Sequence, residues 1–160
     1  MQISIENQLA SKWDKYYIGK VKTSSFHGFA CFLFCFTYLY SLKLGKQISP
    51  AVVDKMFSDN GVYMGDLINS EKAAKLLGLQ YFGIETDINK APDWFPSIKQ
   101  VDYSIVAGKQ THFVIRTKQN GVNVILDPLG GVVRAINYYE KKVNDPLWKS
   151  KFFSYRLFKI

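Results

Sequence analysis

Between Ala30 and Leu44 the chain has no polar face: CFLFCFTYLYSLKL is apolar nearly all round. A helix of that kind is stable only where other elements cover it on every side, so the rest of the chain must wrap it. The material is sufficient, since 160 residues with 48% apolar and 16% aromatic side chains can build one packed domain, residues 1–160. No linker, low-complexity tract or internal repeat divides it. The apolar stretch from Phe29 to Leu42 is too short to span a bilayer and is broken by Thr37 and Ser41.

Gly45 ends this helix as a C-cap. Ser49-Pro50 starts a second helix through about Phe57, broken by Asn60-Gly61, and Asn69 or Ser70 opens a third, SEKAAKLLG, that Gly78 stops. The pattern then turns to strands: Leu79 to Ile84, Tyr103 to Ala107, His112 to Thr117, Val122 to Leu126, Gly131 to Ile136 and Phe152 to Phe158, with a loop around Pro92 and Pro96. Helices first and antiparallel strands afterwards predict an α+β fold, a buried helix packed on a sheet.

Asn120-Gly121 between two apolar runs is a strong hairpin signal. A two-residue hairpin pairs residues whose numbers have an odd sum. His112 and Asp127 satisfy that parity, so their side chains share one face, directly opposite or diagonal.

The two cysteines, Cys31 and Cys35, lie one helical turn apart, a spacing with poor disulfide geometry, so both are expected as free thiols in a protein made in a reducing compartment. Cys31 opens the helix, where unpaired N–H groups and the dipole favour a thiolate. Cys35, among Phe32, Phe34, Phe36 and Leu39, reads as an inert core thiol. Two histidines, His27 and His112, compete as the base for Cys31. His27, in an expected loop, has no evident carboxylate partner, whereas His112 has Asp127 to orient it.

The net charge of +8 includes Lys141, Lys142, Lys149, Lys151, Arg156 and Lys159 near the C-terminus. Such a basic surface suits an anionic partner, although a solvated surface is its more ordinary explanation. Nucleic acid is disfavoured, because no zinc-finger spacing or aromatic RNA-binding motif accompanies it. No cofactor or metal site is expected. The N-terminus lacks the apolar core and cleavage site of a signal peptide, so a soluble protein made in the cytoplasm is expected, either carried in a virion or released to the cell wall.

The order of features resembles the papain-like cysteine peptidases of the double-glycine leader (bacteriocin-processing) type, particularly their relatives in bacteria and phages. The matching positions are Gln8 and Trp13, Ile18-Gly19, Ala30-Cys31, Ser49-Pro50, the segment SDNGVYMGDLIN, His112-Phe113-Val114-Ile115, and Leu126-Asp127-Pro128-Leu129-Gly130-Gly131. The resemblance implies a papain-like fold in which Cys31 attacks a carbonyl, His112 moves the proton, Asp127 holds the imidazole and Gln8 donates to the oxyanion. The chain departs from the pattern at Leu9-Ala10-Ser11-Lys12, at Ala30 in place of glycine, and in the aromatic residues that follow Cys31. The function expected is a thiol hydrolase of peptide or other amide bonds, including peptidoglycan peptides in a phage or bacterial setting. The alternative is an inactive papain-like module with a binding or structural role, for example in a virion.

Overall fold

The computed structural model describes residues 2–87, 97–105, 108–139 and 149–160. After an extended segment and a 3-10 turn at Ser11–Trp13 come α1 (Phe26–Phe29), α2 (Cys31–Leu44), α3 (Pro50–Asp59), β1 (Tyr63–Met64), β2 (Leu67–Ile68) and α4 (Ser70–Leu77). The strands follow: β3 (Gln80–Glu85), β4 (Ser97–Ile105), β5 (Gly108–Gln119), β6 (Val122–Asp127), β7 (Val132–Ala135) and β8 (Lys149–Lys159). The fold is α+β. Strands β3 to β8 form one antiparallel sheet in the order β3-β8-β4-β5-β6-β7, and β1 and β2 form a separate small ribbon.

Helix α2 is surrounded as its composition demands. Phe36 meets Phe57 of α3 edge-on at 5.7 Å and Phe158 of β8 at 5.1 Å, while Phe34 meets Trp13 and Phe26 on another flank. The buried Thr37 and Ser41 hydroxyls are satisfied without leaving the helix, Thr37 Oγ1 donating to Leu33 O and Ser41 Oγ to Thr37 O. That removes the cost of burying a polar group on an apolar helix. Gly45 and Gly78 end α2 and α4 in left-handed conformation, and the Ser49 and Asn69 side chains cap α3 and α4.

The Asn120-Gly121 hairpin has both central residues at positive φ, 50° and 78°, as a type I′ turn requires. Its register runs from Gln119↔Val122 to Ile115↔Leu126. Continued one step, Asp127 lies level with Val114, which makes His112 its diagonal neighbour on the same face. Strand pairing with β6 ends at Ile115, so among the described residues no strand lies beside His112 on this edge of β5.

Several boundaries differ from those expected. Strand β4 begins at Ser97 rather than Tyr103, and β8 begins at Lys149 rather than Phe152, because β4 is flanked on both sides and pairs along its length. His27 lies in α1 and not in a loop. The β1–β2 ribbon, turning at Gly65 (φ 66°), carries too few residues to show a periodicity. The loop expected around Pro92 and Pro96, the end of the strand expected through Ala107, and Lys141 and Lys142 lie outside the described residues. Among the described residues, no helix is long and apolar enough to cross a membrane.

Candidate active site

Cys31 is the first residue of α2. The preceding Ala30 provides no side-chain cap, so no capping side chain competes for the first-turn N–H groups, whose partial positive charge favours a thiolate there. Helix α1 stops one residue earlier, and the Cys31 N–H, which an unbroken helix would give to His27 O, has no hydrogen-bond acceptor among the described residues.

Cys31 lies close enough to His112 to help raise the imidazole pKa. Its Nε2 lies 2.7 Å from Asp127 Oδ1, leaving Nδ1 as the ring nitrogen for sulfur. The adjacent residues lock the helix to the strand: Phe32 stacks on Phe113, ring centroids 4.1 Å apart and planes 8° from parallel. Phe32, directly after Cys31, therefore helps to set the distance between thiol and imidazole. The Arg156 guanidinium lies 5.0 Å from the Phe113 ring centre, within cation–π range.

Asp127 is fully buried and accepts four hydrogen bonds. Oδ1 takes His112 Nε2–H and Leu129 N–H (2.9 Å); Oδ2 takes Arg134 Nε–H (2.6 Å) and Tyr139 Oη–H. Burial would by itself raise its pKa, yet these donors, His112 first, hold it below the ordinary carboxylate range. Burial would likewise lower the His112 pKa, but the hydrogen bonds and charges of Asp127 and Cys31 outweigh it and push it up to about 9. The pair is thus arranged as imidazolium and carboxylate at neutral pH. Cys35 is wholly buried, and burial, then the charges of Cys31 and Asp127, push its thiol pKa up.

Gln8 is held by the turn that follows Asp127. Its N–H donates to Pro128 O (2.9 Å), and Gly130 N–H donates to Asn7 Oδ1 (3.2 Å). Gly131, at φ 62°, allows this approach, since a Cβ there would lie 2.9 Å from Asn7 N. The Gln8 side chain is buried, with Nε2 donating to His27 O at 2.9 Å and to Phe26 O at 3.3 Å, while Oε1 has no partner among the described residues.

No model of a known protein family matches this chain, and neither does any curated protein. Geometry alone brings Cys31, His112 and Asp127 together, with Gln8 bound to the turn just before Cys31. His27 is engaged elsewhere: its Nε2 is 3.2 Å from Ala10 O and 3.5 Å from Asp14, a carboxylate that the sequence reading did not anticipate. Arg134, Tyr139 and Phe32 carry functions that the sequence did not reveal. Arg134 stands seven residues beyond Asp127, two strands from β5, and only the return of β7 alongside β6 brings it back.

Proposed function

We propose that this protein is a papain-like thiol hydrolase of peptide or other amide bonds. The observation that carries the reading is the continuous chain from Cys31 through His112 to Asp127, with an imidazole whose pKa is raised and a carboxylate saturated by donors. In this reading the Cys31 thiolate attacks the amide carbonyl, forming a C–S bond while the carbonyl electrons move onto oxygen. The Cys31 N–H receives that oxyanion. Gln8 can join it, because Phe26 O already accepts Ala30 N–H (3.2 Å) and tolerates release of the longer Gln8 bond. His112 then protonates the leaving nitrogen as the C–N bond breaks, and the neutral ring activates water to hydrolyse the thioester. Asp127 holds the ring and stabilises its charged form.

The alternative, a papain-like module without activity, draws support from Gln8, whose two Nε2 hydrogens are occupied by carbonyls. The two readings part on thiol reactivity. Iodoacetamide at mildly acidic pH, followed by intact mass and peptide mapping, is expected to label Cys31 and spare Cys35. Labelling only after denaturation would favour the inactive module. Peptidoglycan fragments and unrelated peptides are the substrates for a hydrolysis screen.

A further inference from the structure

Of the triad, Cys31 alone lines the adjoining cleft, whose volume is about 470 Å³; His112 and Asp127 are buried behind it. Cys31 opens onto this space, so an acyl group bonded to its sulfur lies in or beside it. Its walls are the α1–α2 junction with Phe29 and Phe32, Phe113 of β5, and the β1–β2 ribbon with Met64 and Leu67. Phe29, Met64 and Leu67 are 54%, 58% and 66% exposed, and all three face this one cleft. Its two charged lining residues are already engaged, Asp66 accepting from Ser24 Oγ at 2.8 Å and Arg156 lying against Phe113 and donating to Ser154.

From these walls we infer that the enzyme selects a large apolar or aromatic side chain on the acyl side of the bond it cleaves. The inference rests on the thiol-hydrolase reading and names the substrate class of the same site. Glycine-glycine, which a double-glycine leader peptidase takes, would leave the cleft unfilled and its exposed apolar rim in water. The alanine, glutamate and diamino-acid residues of wall stem peptides match it no better. A Phe or Leu side chain covers the apolar rim, and because the acyl half stays on Cys31 through the thioester, the contact acts in both chemical steps. Burial of such a side chain against a half-exposed rim corresponds to about a tenfold preference.

The test uses blocked dipeptidyl acyloxymethyl ketones bearing Leu-Phe, Gly-Gly or Glu-Lys, with iodoacetamide as a reference that has no side chain to recognise. Labelling of Cys31 is followed by intact mass in the full chain and in Leu67→Glu, a change at an exposed rim position. The Leu-Phe probe is expected to label at least ~10-fold faster than Gly-Gly, relative to iodoacetamide, and Leu67→Glu to reduce that ratio several-fold. Equal rates for Gly-Gly or Glu-Lys, with Cys31 reactive to iodoacetamide, would overturn the specificity while the nucleophile stands. Failure of every reagent to label folded protein would overturn the hydrolase reading and this inference with it.

Discussion

Asp127→Asn is the change whose consequences are most closely dictated by the geometry. All four groups around the carboxylate are donors: His112 Nε2–H, Leu129 N–H, Arg134 Nε–H and Tyr139 Oη–H. An amide offers one acceptor oxygen and must turn its NH2 toward one of the two pairs. Facing Arg134, it sets N–H groups against a cation that cannot accept. Facing His112, it loses Leu129 N–H and forces the ring to accept at Nε2, which places the proton on Nδ1, the nitrogen that serves Cys31. Removing one partner of a buried pair costs about 3–5 kcal/mol, and because Arg134 is 25% exposed and can turn to water, about 2–4 kcal/mol is expected here. For a chain of this size that is a fall in Tm of about 5–15 °C. Turnover should fall by ~10²–10⁴. The double variant Asp127→Asn/Arg134→Met should recover part of the stability, since both charges are gone, and none of the activity. Melting by circular dichroism beside the hydrolysis rate separates the two effects. An unchanged Tm together with unchanged turnover in Asp127→Asn would refute the account of this network.

Cys31→Ser should leave Tm within about 2 °C, serine being well tolerated at a helix start, and abolish hydrolysis, whereas Cys35→Ser, wholly buried among aromatic rings, should cost about 1–3 kcal/mol unless its hydroxyl bonds back one turn; melting and turnover of both variants check this. The His112 pKa is raised from 6.5 to about 9, so its contribution to stability is complete below 6.5 and is lost as pH rises through about 9, where the hydrolysis rate, which needs the imidazolium proton, should fall as well; a Tm series and a rate profile between pH 6 and 10 measure this. Gly131→Ala meets Asn7 N at 2.9 Å with φ at 62°, so it should destabilise by about 1–3 kcal/mol and displace Gln8, lowering turnover while iodoacetamide still labels Cys31.

The sequence alone determined the elements whose signals are local. An all-apolar segment can only be a wrapped helix, Gly45 and Gly78 stop helices because they reach positive φ without strain, and Asn120-Gly121 turns the strands so that parity puts His112 and Asp127 on one face. Those are properties of neighbouring residues, readable without knowing what lies across the core. Only the tertiary structure decided that β8 inserts between β3 and β4, that Phe32 stacks on Phe113, and that Arg134 and Tyr139 close around Asp127. It also decided that the Gln8 amide lies against the His27 carbonyl, at the break between α1 and α2. Each of these depends on segments distant along the chain or on separate elements meeting, and an arginine, a tyrosine or a phenylalanine has the same local pattern whether it faces solvent, fills a core or holds a carboxylate. Which of these it does is set by the packing of the whole sheet against α2, a long-range free energy that no window of sequence contains.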